Sequence, residues 1–203
     1  MLLKIHPKNP EDRKINQVVT AIEKGAVIIY PAGAVYGFGC DIHQKKAIER
    51  ICRLRNLDPN KANLTIICAN FSQLAEYAQQ IDNQLFKLLK KNLPGQFTFI
   101  LKAHSKIPKI FKAKRKTIGI RIPTNPIAMA ILEKLGHPLL SISLKSDEQD
   151  QEYLTDPDDI YDKYKKLVDI VIDAGIGGNI PTTIVDCTDG EIQVIRQGVG
   201  VLQ

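Results

Sequence analysis

No two of the four cysteines (Cys40, Cys52, Cys68 and Cys187) form a CxxC pair. Scattered thiols argue against a disulfide frame or a cysteine-based zinc site, and for reduced cysteines in a cytoplasmic protein. The four histidines show no HxxxH or HxH spacing, so no metal is assigned. Met1 to Ile5 is too short for the apolar segment of a secretory signal. No apolar run approaches the ~20 residues that span a bilayer, so no membrane contact is expected. Also missing are a GxxxxGK[ST] phosphate loop, a GxSxG elbow, and any carboxylate pair whose spacing marks an acid and a base. Gly37-Phe38-Gly39 begins a dinucleotide fingerprint but lacks its third glycine. There is no internal repeat, low-complexity segment or interdomain linker, and the acidic loop Ser146 to Asp158 is the one weak candidate boundary.

What is present is a chain of 203 residues, 44% hydrophobic and 25% charged, which suits one globular core. The net charge of +6 leans toward anionic partners such as nucleotides, phosphate or RNA. The stretch Val27 to Asp41, VIIYPAGAVYGFGCD, organises the rest. A buried strand leads into Pro31, which is expected to stop pairing. A small-residue run follows, with Tyr30 just before Pro31 and Tyr36 within the run; a ligand could approach the backbone here, and the Tyr36 ring suits one. The plain alternative is a strand and hairpin with glycines in the turn.

Around this stretch the patterns predict a strand at Leu2–Ile5 and a helix capped near Asn9-Pro10 and closed by Gly25. A second helix, Gln44 to Arg55, carries the stripe Ile48, Ile51 and Cys52, and continuing that stripe reaches Arg55. Further strands are expected at Leu64–Cys68, Phe97–Lys102 and Val168–Asp173. Helices are expected near Ser72–Ala78, Asp82–Lys91 and Asp159–Lys165, and from Pro126 to Gly136. Thr182–Asp186 and Ile192–Arg196 read as a hairpin around Asp189-Gly190. Lys102 to Lys116 is the most basic segment and reads as a solvated connection or a nucleic-acid contact. Phe111 is its one aromatic, a weak stacking signature.

Two strands alternate in a way that implies a polar hollow. Ile118, Ile120 and Ile122 share one side while Thr117, Gly119 and Arg121 share the other. Gly119 is expected to leave room beside the Arg121 guanidinium. Leu140, Ile142 and Leu144 oppose Ser141, Ser143 and Lys145. With Arg55, Thr182, Thr183 and Arg196, these cations and hydroxyls suit a phosphate ester, arginine gripping its oxygens by a planar fork. Chemistry at such a site would act through positioning and charge stabilisation. The alternation of strands and helices, with strands crowding at the end, indicates a single α/β domain over residues 1–203, a twisted mixed sheet flanked by helices.

At these residues the sequence resembles the YrdC/YciO family from about Leu3 to Gly200. The motifs are YPAGAVYGFGCD, PGQFTFIL (Pro94 to Leu101), IGIRIPTNPIA (Ile118 to Ala128), PLLSISL (Pro138 to Leu144), PTTIVD (Pro181 to Asp186) and IRQGVG (Ile195 to Gly200). ICRLRNL and KRKTIGIRIP look most like the YciO branch. The resemblance implies a YrdC-like fold with a basic concave cavity. It implies synthesis of threonylcarbamoyl-AMP from L-threonine, bicarbonate and ATP with release of pyrophosphate, a nucleotidyltransferase step in tRNA modification. ATP would enter as a substrate with Mg2+, with no tightly bound cofactor. Double-stranded RNA or tRNA is a further implied partner, and a non-catalytic RNA-binding protein is the alternative reading.

Carried over by residue, Arg55, Ser143 and Lys145 take the catalytic positions. Arg121, Ser141, Thr182 and Arg196 take the nucleotide positions. The family's threonine and acid after the first proline are Ala32 and Gly33 here. Its Lys-x-Arg reads Arg55-Asn56-Leu57, and the asparagine of its Ser-x-Asn is Lys145. The departures fall on the L-threonine and bicarbonate side, so the ATP/AMP side is expected to be better kept.

Overall fold

The computed structural model describes residues 1–58, 65–107, 117–144 and 153–203. Among these, ten strands form one sheet: β1 (Leu2–Lys4), β2 (Ile28–Pro31), β3 (Tyr36–Asp41), β4 (Thr65–Ile67), β5 (Phe97–Lys102), β6 (Thr117–Arg121), β7 (Leu139–Ser143), β8 (Ile170–Asp173), β9 (Thr183–Asp186) and β10 (Gln193–Arg196). The helices are α1 (Asp12–Glu23), α2 (Lys45–Leu54), α3 (Phe71–Tyr77), α4 (Asn83–Asn92), α5 (Pro126–Leu135) and α6 (Pro157–Tyr164). The strand order is β1-β8-β2-β3-β7-β4-β6-β5-β9-β10. Four parallel pairs (β1/β8, β2/β8, β4/β6, β5/β9) and five antiparallel ones (β2/β3, β3/β7, β4/β7, β5/β6, β9/β10) make the mixed α/β sheet that the alternating elements imply.

Local chemistry sets the element ends. Asn125 Oδ1 accepts from the Ile127 and Ala128 amides, Pro126 sits in the first turn of α5, and Gly136 closes it at φ 76°. α1 differs from expectation. It begins after Glu11, not Asn9, because the Lys8 and Asn9 amides both donate to His6 Nδ1 and hold that segment in a turn. Pro31 also differs. It ends β2 opposite Tyr36, closing a hairpin over Ala32–Val35, and a terminal position does not need its missing N–H.

The sheet's two faces are covered differently, and this makes the site. One face is apolar throughout. Phe38 of β3, Phe99 of β5, Ile120 of β6 and Leu140 of β7 pack with Ile48 and Ile51 of α2, Leu89 of α4 and Ile160 of α6. Each such side chain removed from water contributes roughly 1.5–3 kcal/mol. The other face is apolar only over part of its width. There Ile28, Tyr30, Leu139 and Ile170 lie under Ile15, Val18 and Ile22 of α1 and Ile127 and Ile131 of α5. Farther along, this face carries Gly37, Ser141, Ser143, Thr65, Gly119, Arg121 and Thr98, with strand pairing placing them side by side. The alternation of β6 and β7 is therefore realised, isoleucines and leucines into the core and small or polar groups onto the second face. No helix among the described residues is long and apolar enough to cross a membrane.

Candidate functional site

Arg121 ends β6, which three strands (β3, β7 and β4) separate from β2 in the sheet. Its Nη2 nevertheless donates to the Ala32 carbonyl at 3.1 Å. The Ala32–Val35 turn must therefore fold over the second face, giving the hollow a wall. Gly33 makes the approach feasible. A Cβ there would lie 2.7 Å from Arg121 Nη2, and its φ is +133°.

Arg121 is only 6% exposed. Burial pulls its pKa down to about 10; Tyr30 pulls it up and Arg196 pushes it further down. It remains a cation at neutral pH. No carboxylate among the described residues pairs with it, and its Nε has no hydrogen-bond partner there. Gln96 Oε1, 3.8 Å from the position of a Gly33 Cβ, is likewise buried and unpartnered. The Tyr30 phenol lies beside Ser141 in the same region, its pKa pushed up to about 12 by burial, against the opposing pull of Ser141 and Arg121. A buried guanidinium with Nε unpaired and no counter-charge, and a buried carbonyl oxygen without a partner, are costly unless a ligand completes them.

The adjoining wall comes from the C-terminal strands. Arg196 Nε and Nη2 donate to the Thr182 carbonyl at 3.2 and 2.8 Å. The Thr182 and Thr98 hydroxyls lie 3.0 Å apart. Ser143 stands opposite Gly37 and Ser141 opposite Gly39, and a Cβ on Gly37 would sit 3.3 Å from Ser141 Oγ. The structure thus gathers Arg121, Ser141, Ser143, Thr182 and Arg196 around one hollow. Arg55 is the half-buried C-cap of α2, which turns back along β3, and Leu57 packs against the apolar core. Lys145 and most of the basic run, from residue 108 onward, lie outside the described residues.

Several expectations change. Tyr36 does not face a ligand. It is 1% exposed on the apolar side, donates to the Gly175 carbonyl at 2.8 Å and accepts from the Ala174 amide at 3.1 Å. Its burial pushes the phenol pKa up to about 12. Tyr36→Phe is expected to cost about 1–3 kcal/mol by orphaning those backbone groups, read from chemical denaturation, with ligand affinity unchanged. Thr183 is also structural, its hydroxyl donating to the Gly200 carbonyl at 2.6 Å. Gly119 makes room for Thr65 Oγ1, 2.8 Å from its missing Cβ, not for the guanidinium. Gln96, Thr98 and Tyr30 were not singled out by spacing. The available signal was their place inside the PGQFTFIL and YPAGAVYGFGCD motifs. A separate cleft of about 470 Å³, lined by Gln79, Asp82, Lys102, Cys187 and Glu191 among others, shares no residue with this hollow.

A family model covering Sua5, YciO and YrdC proteins, described as telomere recombination, matches residues 20–198. The chain is 47% identical to the uncharacterised protein YciO of Escherichia coli over 197 residues, 97% of this chain and 94% of that one. The crystal structure of E. coli YciO superposes with a TM-score of 0.92 over 99% of this chain and 97% of that chain. A threonylcarbamoyl-AMP synthase of Pseudoalteromonas translucida is 27% identical over 181 residues, 88% of this chain and 95% of that protein. P. abyssi Sua5 complexed with L-threonine shares the fold at a TM-score of 0.85 and 23% identity, over 98% of this chain and 57% of that one. With a matching model over most of its length and a relative so similar end to end, the chain belongs to the Sua5/YciO/YrdC family.

Proposed function

We propose that this protein binds ATP or an adenylate in the hollow between the Ala32–Val35 turn and β6, as part of chemistry related to threonylcarbamoyl-AMP synthesis. One observation carries the reading: Arg121, a buried cation, has no carboxylate partner among the described residues and leaves Nε unpaired. A phosphate would satisfy it with charge-assisted hydrogen bonds. Arg196, near enough to depress the Arg121 pKa, adds positive charge that favours a multiply charged anion. In this reading the hydroxyls of Ser141, Ser143 and Thr182 bind the rest of an adenylate. Developing charge at the transferring phosphorus would be stabilised by Arg121 and Arg196, a contribution of preorganised positive charge.

On the acyl side the same turn offers less. Ala32 is buried and presents a methyl group, and Gly33 no side chain, where a hydroxyl and an acid would orient an amino acid. The adenylate half of the reaction is therefore the half that these residues support. ATP and AMP should each raise the melting temperature. At 100 times Kd the gain is about 2.7 kcal/mol, several degrees for a chain of this size. Incubation with ATP, bicarbonate and L-threonine then separates the roles. Pyrophosphate and threonylcarbamoyl-AMP establish synthesis, whereas nucleotide binding without either product leaves an adenylate-binding protein. A melting temperature indifferent to ATP and AMP overturns the reading.

The net charge of +6 favours a second reading, binding of duplex RNA or tRNA to the same basic surface. Its affinity should fall steeply as salt rises, by counterion release, and an affinity independent of salt contradicts it.

A further inference from the structure

The far end of β3 from the nucleotide hollow holds a group that no sequence spacing announces. Asp41 ends β3, His43 follows in the turn before α2, and His137 precedes β7 after α5. Pairing of Asp41 with Leu139 brings the two segments together. One ligand atom from each of Asp41, His43 and His137 lies within 4.8 Å of the others. His137 Nε2 is 2.9 Å from Asp41 Oδ1. This is the close approach of an imidazole nitrogen and a carboxylate oxygen that an ion pair makes and that two ligands of one cation would also make.

We propose that Asp41, His43 and His137 form a site for a divalent transition-metal ion of the zinc class, separate from the nucleotide hollow. Two imidazoles and one carboxylate are borderline ligands that suit zinc, and zinc accepts three protein ligands with an open fourth position. Ligand bonds of about 2.0–2.2 Å in a tetrahedron need ligand atoms roughly 3.3 Å apart. Reaching that takes a slight opening of the 2.9 Å Asp41–His137 pair and a rotation that brings in His43, an exposed side chain. The supporting contacts are already in place. Asp41 Oδ1 accepts from the His43 amide at 2.8 Å, which fixes the carboxylate, and the Leu135 backbone engages the His137 ring. Such outer contacts orient metal-binding groups. The two imidazoles meet edge-on with centroids 5.0 Å apart, leaving their nitrogens free to converge. A bound ion would clip the start of α2 to the α5–β7 turn and stabilise the fold by mass action.

The test uses the untagged full chain, stripped with EDTA and titrated calorimetrically with Zn2+, then separately with Co2+ for the visible absorption of a low-symmetry site. One ion per chain is expected. His43→Ala, at an exposed position that leaves the core intact, should weaken binding at least about tenfold. His43→Ala combined with His137→Ala should abolish it, together with the zinc-dependent rise in melting temperature. Both variants should keep the AMP affinity of the wild type, which separates this site from the nucleotide site. Zinc binding of equal strength in wild type and double variant, or no stoichiometric binding to the wild type, overturns the proposal.

Discussion

Arg121→Met is expected to lower AMP and ATP affinity by about 100-fold or more while leaving the unliganded protein as stable as before, or more so. The two effects have one origin. In the unliganded chain the guanidinium makes one hydrogen bond among the described residues, to the Ala32 carbonyl, for a charge removed from water. Burying an ion costs several kcal/mol, and an apolar side chain of similar length in its place is often neutral or stabilising. With a phosphate bound, the same group makes charge-assisted hydrogen bonds worth about 1.5–3 kcal/mol each. Two of them account for the 100-fold loss. Calorimetry with AMP and thermal melts without ligand read the two halves separately. A large fall in apo stability together with unchanged AMP affinity would make Arg121 a structural residue.

Gly33→Ala should damage both folding and binding. The added Cβ would lie 2.7 Å from Arg121 Nη2, so the guanidinium must leave its place. The backbone φ of +133° adds strain of about 1–3 kcal/mol for any residue with a side chain. A fall of several degrees in melting temperature and a loss of AMP affinity approaching that of Arg121→Met are expected. Ala34→Gly, one residue away, serves as the control and should retain the affinity. The same geometry explains why an acid cannot simply be restored at position 33. Its carboxylate would fall on the guanidinium and compete with the phosphate for it.

The sequence made some of this legible for identifiable reasons. α5 could be read because its cap, its proline and its closing glycine are local, Asn125 to Gly136. β7 could be read because one face is apolar and the other wet, so period two is visible. β2 and the whole of β3 are buried on both sides, and no alternation marks which side meets a ligand. That is why Tyr36 looked like a cavity residue. Its partners, Ala174 and Gly175, lie more than a hundred positions away, where no spacing reports them. Gln96 was hidden for the same reason, since its orphaned oxygen matters only because the Ala32–Val35 turn folds over it. The Asp41–His43–His137 group follows from strand order, which periodicity does not encode. Arg121 and Ser141 stood out because a cation and a hydroxyl interrupt strands that otherwise read as core, whereas Thr182 and Arg196 stood out through the motifs PTTIVD and IRQGVG.

In the proposed reading the phosphate, not the nucleoside, is what Arg121 receives. Titration calorimetry of the wild type and Arg121→Met with AMP and with adenosine tests this directly. AMP should bind the wild type at least about 100-fold more tightly than adenosine, and the gap should close in Arg121→Met. Equal binding of AMP and adenosine to the wild type, or a gap that survives the substitution, would contradict it.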